Sequence, residues 1–158
     1  NKSGFLKRRK SGQIAGINLN MLLNELPNCS ENDTLFIVCH SMGYAYSLGM
    51  IQELRGKINF GGFYLLAPEN AGVGKTIKNE WKEVWQYGAN LEPKYKNAPC
   101  LQDGVAAQVK ARGLTRDNRI FFPNDKESQM GFFKSHFVGY YTWIFDIPQG
   151  KQGAVKIH

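Results

Sequence analysis

The sequence predicts an α/β fold: an open, mostly parallel sheet with flanking helices. Three observations carry that expectation. Short apolar runs, rich in aromatic and β-branched residues, recur at 34–39, 59–66, 83–87 and 119–122, the length and composition expected of strands. Segments with helical spacing of apolar residues lie between several of them. Turn-forming residues (Pro27, Gly56, Gly88 and Pro123) close successive segments. Strands that alternate with helices pair in parallel, because each helix carries the chain back along the sheet. At 158 residues the chain is one domain, residues 1–158, and a domain of that size buries about 70% of its unfolded surface.

Taken in order, Ile14, Ile17, Met21, Leu22 and Leu26 mark one apolar face of a first helix, ended by Pro27. Asn28–Asp33 is a polar turn that leads into the strand Thr34–Cys39. A second helix, from Met42 to Leu54, carries Met42, Ala45, Leu48, Ile51 and Leu54 on one face and stops at Gly56. Asn59–Leu66 is the second strand, ending at Ala67-Pro68. Glu83–Tyr87 predicts a third strand closed by Gly88. A long polar loop with Pro93 and Pro99 then runs to Gln102. Val105–Leu114 predicts a short helix, Arg119–Phe122 a fourth strand, and the aromatic-rich stretch Phe137–Phe145 a closing helix. The chain has no internal repeats and no low-complexity tract.

Composition narrows the function classes. An apolar fraction of 42% and an aromatic fraction of 13% are those of a globular chain. No apolar run approaches the roughly 18 residues of a spanning helix, and no charged-then-apolar leader opens the chain. The first residue is Asn1 rather than Met, which fits a processed or excised piece of a longer polypeptide. The net charge is +7, part of it concentrated in Lys7-Arg8-Arg9-Lys10. Such a run suits contact with an anionic membrane surface or nucleic acid, or is simply a solvated segment. No nucleic-acid-reading motif accompanies it. The three cysteines, Cys29, Cys39 and Cys100, form neither a disulfide framework nor paired metal-ligand spacing.

The segment that carries chemistry is Cys39-His40-Ser41-Met42-Gly43, between the first strand and the second helix. A strand that delivers a serine onto a tight turn, followed at once by a helix, presents the hydroxyl to a cleft. The N–H groups of the helix start point back at the same place. The residue two after the serine should be small, because strand and helix nearly collide there, and Gly43 meets that need. Met42 would offer one oxyanion donor through its backbone N–H. The segment resembles the His-Ser-Met-Gly nucleophile elbow of α/β-hydrolases, especially the lipase and esterase branch. It departs from the family pattern in having Cys39 where a glycine is usual.

A serine hydroxyl is inert at neutral pH without a base. Of the three histidines, His40 is adjacent to the serine and is expected to pack or cap locally. His158 is the last residue. That leaves His136, between the last strand and the closing helix. The hydrolase resemblance places the base at the same point of the fold. The same resemblance implies an acid that orients the imidazole. Asp103, in Asp103-Gly104-Val105-Ala106, gives the family's order Ser41…Asp103…His136. Asp125, just past the last strand, and Glu69, at the end of the second strand, are the alternatives. The chemistry implied is cleavage of an acyl ester or lipid through an acyl-enzyme, with no cofactor and no metal.

The resemblance covers only the C-terminal half of the hydrolase fold. Strands that normally precede the elbow, and the loop that gives the second oxyanion N–H, have no counterpart in the sequence. The elbow strand is therefore expected to have an unpaired edge. An upstream segment or partner chain would cover it, and on a longer secreted polypeptide such a domain would act as a lipolytic effector.

Two competing readings come from other classes. Pro68–Thr76 ends in Gly-Lys-Thr after a strand, as a phosphate-binding P-loop does, but Glu69 stands where the first glycine belongs. Its carboxylate is the wrong charge for a phosphate cradle. A Gly-rich loop over the C-terminal edge of the sheet, where hydrolases insert a lid, is the plainer expectation. The other reading is a catalytically silent binding module in which the elbow is only a structural turn.

Overall fold

The computed structural model describes residues 2–30, 32–88, 109–115, 118–121, 134 and 136–146. These form an α/β domain. Helix α1 (Lys2–Glu25) is followed by β1 (Thr34–His40), α2 (Gly43–Leu54), β2 (Asn59–Leu66), a 3-10 turn (Lys78–Glu80), β3 (Trp81–Gly88), β4 (Arg119–Phe121) and a 3-10 helix (Val138–Asp146). The strands lie in sequence order, β1-β2-β3-β4, and every neighbouring pair is parallel. The expected strands are therefore present with boundaries shifted by a residue or two. Among the described residues β1 pairs only with β2. Its outward-facing Phe36 and Val38 are 59% and 62% exposed.

One face of the sheet is covered by α1 and α2. Leu35, Ile37 and Cys39 of β1 and Phe60, Phe63 and Leu65 of β2 meet Ala45, Leu48, Ile51 and Leu54 of α2 there. A run of aromatic contacts crosses this core. Phe5 of α1 meets Tyr44 of α2 edge-on at 6.1 Å, and Tyr44 stacks on Phe63. Trp81 of β3 stacks on both Phe63 (5.0 Å) and Phe60 (4.5 Å). Each such pair adds about 1 kcal/mol beyond the area it buries. Opposite Gly61-Gly62 of β2 the β1 register slips between Leu35 and Ile37, a bulge that puts two glycines against one partner residue.

The first helix forms as expected but buries the other side. Ile14, Ile17, Met21, Leu22 and Leu26 are all exposed, whereas Phe5, Gly12 and Gly16 are buried and Leu19 and Leu23 pack on the core. The cause lies in the glycines. A Cβ on Gly12 would sit 1.9 Å from the Tyr46 carbonyl oxygen, and one on Gly49 of α2 would sit 2.0 Å from that of Arg9. The two backbones touch, an approach that bulky residues forbid. Lys7, Arg8 and Lys10 are exposed, and the half-buried Arg9 donates to Gln52 of α2 at 3.0 Å. The basic run thus keeps three solvated charges and spends one on tying the helices together.

Residues 109–114 are not helical, contrary to expectation. Gly113 has φ +91°, outside the helical range, and its neighbour Arg112 pairs with Lys75 as an isolated bridge. The reason is a buried side chain on β3. Gln86 accepts from the Ala111 N–H and donates to the Val109 carbonyl, both at 2.9 Å, so its amide replaces the helical partners of this stretch.

The 68–76 connection is a packed crossing rather than an open flap. Ala71 and Thr76 are buried. A Cβ on Gly74 would meet Leu48, Phe5 and Tyr44 at 2.5–2.9 Å. The Thr76 hydroxyl is bonded to Tyr44 Oη at 3.0 Å and its N–H to the Arg112 carbonyl. A P-loop needs a helix starting at Gly-Lys-Thr with its N–H groups aimed at phosphate. Here a three-residue 3-10 turn and then β3 follow instead, so that reading fails.

Candidate active site

Ser41 sits at the C-terminal end of β1, where ligands collect in open parallel sheets. Its φ is +55°. An L-residue in that region is strained by about 1 kcal/mol or more, and such strain persists only where surrounding bonds impose it. Those bonds are present. The Ser41 N–H donates to the Leu66 carbonyl at 3.0 Å, and the Ser41 carbonyl accepts from Tyr44 N–H (3.2 Å) and Glu69 N–H (3.1 Å). The turn after β2 that holds it contains two more non-glycine residues at positive φ, Ala67 (+40°) and Asn70 (+53°). Ala67 N–H in turn reaches the Tyr87 carbonyl at the end of β3. Three strand ends are stitched together around one serine.

The elbow's underside is closed. Cys39 is buried, and burial pushes its thiol up to about 12, with a hydrogen bond to Ser47 opposing the shift. It is a protonated, inert packing group at neutral pH. A Cβ on Gly43 would lie 3.7 Å from the Cβ of Cys39, an ordinary contact. The expected collision between strand and helix is therefore absent at the Cβ level, because Cys39 is itself small.

Met42 is the helix's first cap residue, and its side chain is buried beside Asn70, whose Nδ2 lies 3.6 Å from the sulfur. Its backbone N–H belongs to the opening turn of α2, where donors have no intrahelical acceptor. Among the described residues it donates to none.

His136 is brought to the serine across 95 residues. It is buried, and its Nε2 lies 2.9 Å from Ser41 Oγ. A hydroxyl at that distance donates to an unprotonated ring nitrogen, the arrangement a general base requires. Phe137 and Val138 beside it are exposed, Tyr140 is partly so, and Tyr141 is core.

Sequence reasoning missed His40. Rather than capping locally, its Nε2 donates to the His136 carbonyl at 2.5 Å, and the two rings lie 5.0 Å apart. The partner is 96 residues away, so no local pattern could signal it.

The acids are less fully placed. Glu69 is half-buried beside the elbow, and its carboxylate accepts from Asn70 Nδ2 at 3.0 Å. Asp103 and Asp125 lie outside the described residues, as does His158. Among the described residues no three His, Cys, Asp or Glu side chains gather as a metal would need, and no helix is long and apolar enough to cross a membrane. Comparison of the chain with protein-family models, with curated proteins and with solved structures gives no match.

Proposed function

We propose that this protein is a serine hydrolase of the α/β-hydrolase type, lipase- or esterase-like, that cleaves a carboxylic ester. The observation that carries the proposal is a strained serine, φ +55°, on a strand-to-helix turn, with a distant histidine nitrogen 2.9 Å from its hydroxyl. Strain and a base converging on one hydroxyl are hard to account for by packing alone.

In this reading Ser41 Oγ attacks the acyl carbon while its proton passes to His136 Nε2. The carbonyl π electrons move to oxygen, and the oxyanion takes a bond from the Met42 N–H. Collapse re-forms the carbonyl and expels the alcohol, which leaves with the proton from His136. Water, deprotonated by the same nitrogen, attacks the acyl-enzyme and releases the acid. Asp103 orients His136 by the family's chain order, with Asp125 and Glu69 as the alternatives. The edge of β1 that is unpaired among the described residues, with Phe36 and Val38 exposed beside it, supports pairing with strands from an upstream segment or partner chain. Those strands would bring the second oxyanion donor. The exposed lysines and arginine of α1 suit an anionic lipid surface near the substrate.

The test is reaction with a fluorophosphonate probe followed by peptide mapping. Phosphonylation should fall on Ser41. It should drop by at least about 10³-fold in Ser41→Ala and His136→Ala, with thermal unfolding little changed. No modification of wild-type protein, or full modification of His136→Ala, overturns the reading and leaves the elbow as a structural turn.

A further inference from the structure

We infer that His40 is a positioning residue that sets His136 on Ser41; the inference rests on the hydrolase reading above and deepens it. His40 and Ser41 are consecutive at the end of β1, and both reach the same distant residue. His40 Nε2 holds the His136 main-chain carbonyl at 2.5 Å, and Ser41 Oγ meets the His136 ring nitrogen at 2.9 Å. A carbonyl can only accept, so His40 carries its proton on Nε2.

The consequence is geometric. Were His136 tied to the elbow only through its ring tip, the imidazole could swing about that point and the Oγ–Nε2 distance would wander. A second tie, at the backbone of the same residue, closes a small loop of covalent and hydrogen bonds through 40, 41 and 136. That loop fixes both the position and the tilt of the ring. Two further backbone bonds of this segment, Phe137 N–H to Lys134 O and Tyr140 N–H to Phe137 O, both at 3.0 Å, are local and shape the segment itself. The strand is a rigid platform here. Cys39 and Ser41 on either side are held by the core and by the bonds to Leu66 and Glu69. A residue on a strand end therefore transmits the sheet's precision to a base carried on a separate loop.

A misplacement of about 1 Å in a reacting group can cost about 10²-fold in rate. Three variants of the whole chain separate positioning from packing. His40→Phe keeps a ring and removes the donor. His40→Asn keeps polarity but is too short to reach. His40→Gln places an amide N–H near the position of Nε2. With saturating fluorophosphonate, the maximal rate of Ser41 modification should fall about 10- to 100-fold in His40→Phe and His40→Asn. The half-saturating concentration should stay unchanged, and His40→Gln should recover to within about 3-fold.

The second readout needs no reaction. The ¹⁵N resonances of the His136 imidazole should shift on Ser41→Ala. They should shift the same way in His40→Phe and His40→Asn, and stay at the wild-type position in His40→Gln. Wild-type rates and spectra in His40→Asn overturn the inference. So does a His40→Gln variant as slow and as shifted as His40→Asn, since packing rather than the donor would then be the cause. If the wild-type protein is not phosphonylated at all, the hydrolase reading falls, and the imidazole spectra alone decide whether His40 positions His136.

Discussion

The seam between α1 and α2 and the elbow at the end of β1 use backbone freedom in opposite ways. At the seam, Gly12, Gly16 and Gly49 bring two helices into backbone contact. At the elbow, the residues at positive φ are Ser41, Ala67 and Asn70, none of them glycine. Glycine thus appears where distance demands it, and side chains are kept where conformation would favour glycine. The seam is built for stability. The elbow keeps a serine at φ +55°, and on the proposed hydrolase reading its hydroxyl is the reason.

Reciprocal substitutions test that contrast. Gly49→Ala should cost about 3 kcal/mol, because its Cβ would lie 2.0 Å from a backbone oxygen that has nowhere to go. For a chain of this size that is a fall of about 10 °C in Tm by calorimetry. An unchanged Tm would mean the helices can slide apart, and the seam would lose its role in the comparison.

The next effect in size concerns the sealed floor of the elbow. Cys39, pushed up to about 12 by burial, keeps its proton in the folded state after an unfolded thiol, near pH 9, has released it. The folded state therefore binds more protons in that interval, and stability falls as pH rises from about 9 towards 12. The slope is at most about 1.4 kcal/mol per pH unit. Chemical denaturation at pH 8, 9.5 and 10.5 should show the decline, and Cys39→Ala should make it shallower. The buried Tyr44 and Tyr87, also raised by burial, add a decline of the same sign that this variant leaves in place.

Ser41→Gly should reverse the sign seen at the seam. Relief of an L-residue at φ +55° offsets the extra chain entropy of glycine, for a net gain of about 0.5 kcal/mol. Phosphonylation should vanish in the same variant. A loss of stability would show that the serine's hydrogen bonds outweigh its strain. The smallest effect is expected for Gly43→Ala. Its Cβ meets only the Cβ of Cys39 at 3.7 Å, so stability should move by less than about 0.5 kcal/mol.

What the sequence disclosed follows from the range of the interactions involved. The strands were legible because burial on a parallel sheet demands local apolar runs such as Phe63–Leu66. The strand, turn and helix around Ser41 were legible because they are contiguous, and the approach of His136 to Ser41 because elimination among three histidines needs no geometry. The buried side of α1 was not legible. Its contact is made by glycines, which carry no hydrophobic signal, while the bulkier Ile14, Ile17 and Met21 face solvent. The non-helical course of 109–114 was hidden for a different reason: a glutamine on β3, at position 86, supplies its hydrogen bonds. His40 was hidden likewise, since its partner is remote in the chain.

The sequential strand order has a consequence for how the molecule comes into being. Each strand docks on the one made just before it, so β1, α2 and β2 can form a bonded platform while later residues are still being added. Ser41 is then already bent into its turn, gripped by Leu66 and Glu69. His136, some 95 residues later, reaches it only when its segment comes to rest on His40. On the proposed hydrolase reading, the serine is bent into its turn before its base is in place, and reactivity switches on as a late step of folding.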